Sequence, residues 1–165
     1  MTADQPTLHL IHGYIGAGKT SFAKKLEHEL NCVRFTSDEW VIALYGDNPP
    51  QDKFRDYEDR IKVLIWQVAK RILETGNDVI LDLGVWKRSE RDKWRAIAKE
   101  MSVGFKLYNV TCPLEIAKQR TLQRTHNMPA GALVIDENAF DTLQQYFEPI
   151  DPSVEECITI DTSKS

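Results

Sequence analysis

Residues 9–26 read HLIHGYIGAGKTSFAKKL: a short apolar run, then glycines at 13, 16 and 18, then lysine, threonine and a stretch with helical spacing. The order carries the information. Gly13-Tyr14-Ile15-Gly16-Ala17-Gly18-Lys19-Thr20 fits G-x-x-x-x-G-K-[ST], the pattern of a phosphate-cradling loop between a strand and a helix. Glycines let the backbone curl with its N–H groups inward, which side chains would obstruct. A helix starting near Lys19 aims its positive end at the same point. The candidate nucleotide-binding residues are therefore Gly13, Tyr14, Ile15, Gly16, Ala17, Gly18, Lys19, Thr20 and the adjoining Ser21. Lys19 is placed to reach the outer phosphates and Thr20 to offer its hydroxyl to Mg²⁺. The chain lacks the N/T-K-x-D tetrapeptide of guanine readers, which favours ATP as the nucleotide.

Outward from this loop the elements alternate. Apolar runs predict strands at 7–12, 32–37, 78–83, 104–110 and 156–160. Between them, helical spacing predicts helices at 19–30, 38–46, 52–74, 89–102, 113–127 and 136–147. The long helix carries Ile61, Leu64, Ile65, Val68 and Ile72 on one stripe. "SERD" (89–92) has a capping-box pattern, Pro113 suits a first helical turn, and Asp136 suits an N-cap. "GDNPPQD" (46–52) reads as a loop, and "NMPAGA" (127–132) as a break before the helix at 136. Strands separated by helices imply crossover connections. The expected fold is an α/β three-layer sandwich with a five-stranded parallel sheet, a P-loop NTPase of kinase-like form with a helical lid. With no repeat or linker in view, residues 1–165 read as a single domain.

Composition narrows the function. The net charge of −4 argues against tight non-specific nucleic-acid binding, which depends on a basic surface. No apolar run reaches the ~20 residues of a membrane span, and "MTADQPTLHL" has no secretory pattern. Cys32, Cys112 and Cys157 are scattered beside predicted strands, so they read as buried thiols of a reduced, cytoplasmic protein.

In a parallel sheet, ligands collect beyond the carboxyl ends of the strands. Asp38 follows the second strand and Asp82 ends the third. Asp82 reads as a carboxylate serving Mg²⁺ or as a turn residue. Asp38 reads as a proton acceptor for a substrate hydroxyl or as a helix cap, a role Ser37 also fits. Arg120 and Arg124 share a helix face, which is either a solvated basic face or a surface that closes over phosphates. Lys87 and Arg88 stand on the third-strand loop as substrate-side or merely solvated cations. Trp40, Tyr45 and Trp86 are either one wall of an acceptor pocket or core packing.

"GYIGAGKTSFAKKL", "FTSDEW", "VILDLGVWKRSERDKWRAIA", "CPLEIAKQRTLQR" and "FDTLQQYFEP" together resemble the small stand-alone P-loop kinases of the AAA-like group. Polynucleotide 5′-kinases, chloramphenicol phosphotransferase and zeta toxins are relatives in that group. The resemblance runs from Leu8 to about Asp161. It implies that Lys19 and Thr20 bind phosphate and Mg²⁺, that Asp38 is the general base, and that Arg120 and Arg124 belong to the lid. Polynucleotide kinases typically carry an arginine three residues after the base aspartate, whereas this chain has Val41. The expected function is transfer of the ATP γ-phosphate to a hydroxyl of a small-molecule acceptor. A polynucleotide or nucleoside 5′-hydroxyl kinase and an ATP-hydrolysing switch protein are the alternatives.

Overall fold

A computed structural model describes residues 4–46, 49–127 and 135–164. Its order is β1 (Thr7–His12), α1 (Lys19–Leu30), β2 (Val33–Thr36), α2 (Ser37–Tyr45), α3 (Phe54–Glu74), β3 (Val79–Asp82), α4 (Arg88–Glu100), β4 (Gly104–Thr111), α5 (Leu114–Asn127), α6 (Glu137–Leu143) and β5 (Ile158–Asp161). The five strands form one parallel sheet in the order β2-β3-β1-β4-β5. The loop following β1 therefore rises from the middle of the sheet. Helices cover both faces, which is why every residue of β3 is buried.

Strand alternation divides the core. Leu8, Leu10, Leu81 and Leu107 face α3, which answers with Ile61, Ile65, Ala69 and Leu73 at helical spacing. On the other face Ile11, Ile80, Tyr108 and Val110 meet Ala23 and Leu26 of α1. Each fully buried Leu or Ile contributes about 1.5–3 kcal/mol, so these two layers dominate the fold. Leu64 and Val68, expected on the core stripe of α3, are exposed instead. Each sits one residue before a core position, Leu64 before Ile65 and Val68 before Ala69, and that step turns it outward. No helix among the described residues is long and apolar enough to cross a membrane.

A buried ion pair fastens the back of the sheet. Arg91 of α4 binds Glu155 through two hydrogen bonds, Nε to Oε1 at 2.9 Å and Nη2 to Oε2 at 3.0 Å. Its Nη1 donates to the carbonyls of Trp86 and Glu148. This clamp turns the chain at Glu155, and β5 begins only at Ile158, two residues after the expected start. The capping box of α4 also sits earlier than "SERD": Glu90 accepts from the Lys87 N–H at 3.0 Å, while Asp92 pairs with Arg88 and Arg95. The helix expected over 136–147 stops at Leu143 and continues as a single 3₁₀ turn, Gln144–Tyr146. Asp136 does cap it, accepting from the Ala139 N–H at 2.7 Å. The "NMPAGA" break falls mostly on 128–132, which lie outside the described residues, as do 1–3, 47–48 and Ser165.

Candidate active site

The loop from Gly13 to Thr20 is shaped by what surrounds it. Gly16 and Gly18 have φ of +76° and +94°, a region that favours glycine. A side chain on Gly16 would also run into the Ala117 carbonyl and the Thr121 hydroxyl of α5. Tyr14 points away from the loop's interior. Its hydroxyl donates to the Phe140 carbonyl, and its ring packs among Trp86, Phe140 and Phe147. Its own carbonyl accepts from the Ala17 N–H at 3.1 Å and from Lys19 Nζ at 3.0 Å. Gly18 occupies the N-cap of α1 without a side-chain cap, so the first-turn N–H groups have no side-chain acceptor there.

Two carboxylates converge on this loop. Register places Thr36 of β2 beside Asp82 of β3, and Asp38 follows in the first turn of α2. Asp82 is 6% exposed, whereas Asp38 is crowded by protein on one side and open to solvent on the other. Neither side chain has a hydrogen bond or ion pair among the described residues. Burial raises the pKa of Asp82 above the usual carboxylate range; Lys19 opposes the rise and Asp38 adds to it. Burial raises Asp38 likewise, opposed by Lys19 and Lys62. Lys19 is pushed down by burial, with Asp82 and Asp38 pulling the other way and Arg124 pushing with it. Lys19, Asp38 and Asp82 thus share one electrostatic neighbourhood. Asp82 and Thr20 are hard oxygen donors of the kind Mg²⁺ takes.

Asp38 is not a helix cap. Thr36 holds the N-cap position of α2, Ser37 is already helical, and no side-chain cap bond is made. Asp38 is therefore free of the local role that best competed with a chemical one.

The two arginines of α5 part company. Arg124 is exposed and acts on the charges of Lys19 and Asp38. Arg120 binds Thr162, with Nη1 to the hydroxyl at 3.0 Å and Nη2 to the carbonyl at 2.6 Å, and so faces the segment after β5. Arg120 thus has partners in the segment after β5, and Arg124 contributes to the field at Lys19. Arg88 is likewise engaged, pairing with Asp92 at 3.0 Å and with Glu155 at 3.6 Å, while Lys87 stays exposed.

The three aromatics do not form one wall. Trp40 packs on Phe35 against the core, Tyr45 stacks on Tyr57 with ring centres 3.8 Å apart, and Trp86 sits beside Tyr14 and Phe147. His12, just before the loop, escaped the sequence reading although its position was the signal. Its Nδ1–H donates to the Val85 carbonyl at 2.9 Å, its ring stacks on Phe147, and burial pushes its pKa down to about 4. It is therefore neutral at physiological pH.

A family model described as an AAA domain matches residues 8–150. No curated protein matches the sequence. Among solved structures, a Chloroflexus aurantiacus protein described only provisionally as a kinase is similar at TM-score 0.76 and 14% identity, covering 98% of this chain and 90% of that one. Chaetomium thermophilum Kti12, solved with ADP-AlF3, gives TM-score 0.70 at 17% identity over 96% and 90% of the two chains. A gluconokinase from Sinorhizobium meliloti 1021 gives 0.64 at 19% identity over 98% and 86%. These likenesses show the fold, that of P-loop kinases.

Proposed function

This chain belongs to the AAA domain family, and from that premise we propose that it is an ATP-dependent phosphotransferase acting on a hydroxyl of a small-molecule acceptor. The observation that carries the reading is the pair of unpaired carboxylates, Asp38 and Asp82, held in the field of Lys19 at the mouth of the loop. Kti12 with ADP-AlF3 supports a nucleotide in this fold, and the gluconokinase supports a small acceptor.

In the proposed reaction the loop N–H groups and Lys19 hold the phosphates and carry charge as transfer proceeds. Thr20 and Asp82 would hold Mg²⁺, which supplies Lewis-acid neutralisation of the phosphate oxygens when bound. Asp38 accepts the proton of the acceptor hydroxyl while that oxygen bonds to the γ-phosphorus. The bond from phosphorus to the β–γ bridging oxygen breaks, and ADP leaves with that electron pair. A raised pKa makes Asp38 a better proton acceptor than an ordinary aspartate. Arg124, in the field of Lys19, and Arg120, bonded to Thr162, are the α5 arginines that would meet the phosphates when the helix closes over them.

Val41 favours a small acceptor over a polynucleotide. Val41, where polynucleotide kinases place an arginine, is 1% exposed and belongs to the core. Metabolites and nucleosides screened for stimulated ADP release should yield a phosphorylated product. Asp38→Asn should then cut transfer by ~10²–10⁴ with ATP affinity near wild type. Wild-type transfer by that variant would remove Asp38 from the chemistry, and label passing to an oligonucleotide 5′-hydroxyl would overturn the small acceptor. ATP hydrolysis without any phosphorylated product would favour a switch protein instead.

A further inference from the structure

A cavity of about 360 Å³ opens over β4, the neighbour of β1 on the side away from β3, Asp82 and Asp38. Its walls include Tyr14 and Ala17 from the outer surface of the loop, Phe147 and Gln144 from the segment after α6, and Leu114 of α5. No charged side chain lines it. One polar group stands out. Asn109 of β4 is 7% exposed, lines this cavity, and its carboxamide has no hydrogen-bond partner among the described residues.

The carboxamide is reached through the cavity, so water meets it there, and a ligand that displaces this water must replace its hydrogen bonds. The carboxamide presents a donor and an acceptor side by side. A ligand that matches it offers the same pair in reverse. Tyr14 and Phe147 supply aromatic walls suited to a flat molecule, and the volume lies within the range of small-molecule sites. The uncharged lining speaks against a phosphate group here.

We infer that this cavity is a second ligand site, taking a planar, uncharged molecule with an amide-like edge that pairs with Asn109. Its occupant would touch Tyr14 and Ala17 from behind, and so act on the loop without entering the phosphate site. This goes beyond the proposed transfer reaction and does not depend on it.

The test uses the full chain, isotope-labelled, with benzamide as probe and toluene as the control that lacks the edge. Benzamide should shift the Asn109 side-chain amide and the Leu114 methyls, and bind more tightly than toluene. Asn109→Leu should weaken benzamide at least about tenfold while sparing toluene. Leu114→Trp, at a position 44% exposed, should block both probes without disturbing the core. Saturating AMP-PNP with Mg²⁺ should leave benzamide bound. The inference fails if benzamide moves no cavity resonance, if Asn109→Leu and Leu114→Trp bind it as wild type does, or if AMP-PNP displaces it, which would make the cavity the nucleotide's own base pocket. Failure to bind AMP-PNP at all, with benzamide binding intact, would count against the kinase reading alone.

Discussion

Arg91 and Asp82 are both charged side chains deep in the protein, at 1% and 6% exposure, yet their surroundings are opposite. Arg91 spends its guanidinium on Glu155, the Trp86 carbonyl and the Glu148 carbonyl. Asp82 makes no side-chain hydrogen bond among the described residues and meets Lys19 only through the field between them. The first arrangement saturates a charge and ties three segments together. The second leaves a carboxylate without a hydrogen-bond partner among the described residues, in the fields of Lys19 and Asp38. Buried charge that is fully paired holds a fold together; buried charge that is left open is held for something that arrives.

The sharpest break of this contrast is at Lys19. Lys19→Ala should lower turnover by about 10³-fold or more, because it removes charge from the phosphate site, while the melting temperature stays near wild type. A folded variant with full activity would show that the open charges do no chemistry. Next is the clamp. Glu155→Gln should cost about 3 kcal/mol in urea denaturation, since it strands Arg91, yet transfer by the folded fraction should continue. Loss of activity without loss of stability would erase the distinction between the two regions.

The pH dependence should run in opposite directions. For Glu155, burial pushes the pKa up, but the hydrogen bonds and charges of Arg91, Arg95 and Arg88 outweigh it and hold it below 4.5. Its contribution is present above the unfolded pKa and is lost as pH falls through the folded one. For Asp82 the folded pKa lies above 3.8, so the unfolded chain ionises first as pH rises, and a penalty grows through that interval and then persists. Asp82→Asn should therefore raise the melting temperature of the nucleotide-free protein at neutral pH and change nothing well below pH 3.8. A uniform effect at all pH values would contradict the burial argument. Smallest of all, Arg88→Ala should leave the acceptor KM unchanged, because Arg88 is occupied with Asp92 and Glu155. A raised KM would return Arg88 to the substrate side.

What the sequence reveals here follows the range of the interactions. The span and order of the elements are local, and α1 at 19–30 and β1 at 7–12 fall where periodicity and the glycines put them. The loop is also local, since its conformation is written in adjacent residues. Spacing misleads where the partner is distant. Arg120 and Arg124 look equivalent at four residues apart, and the bond from Arg120 to Thr162, 42 residues on, is one that spacing does not show. "SERD" offers two acidic candidates for a cap, and Arg95 and Arg88 settle the matter by taking Asp92. The Arg91–Glu155 pair joins residues 64 apart in sequence, beyond any motif's reach. Tyr14 illustrates both scales: its place in the loop is legible, while its ring's burial among Trp86, Phe140 and Phe147 depends on segments far downstream.

The Thr162 hydroxyl also donates to the Ala17 carbonyl, at 2.5 Å and 145 residues' separation. During synthesis this contact cannot form until residue 162 has cleared the ribosome, long after the loop itself has emerged. Central β1 waits in the same way for β4, because its register partners run from Gly104 to Asn109. The nascent chain must therefore carry an unsupported glycine loop and an unpaired central strand edge until those segments have emerged, a state prone to wrong association. Nucleotide meets the loop with its Thr162 support only after that contact has formed. Yield in the cell should accordingly be limited by how well the growing chain is shielded, more than by the stability of the finished protein.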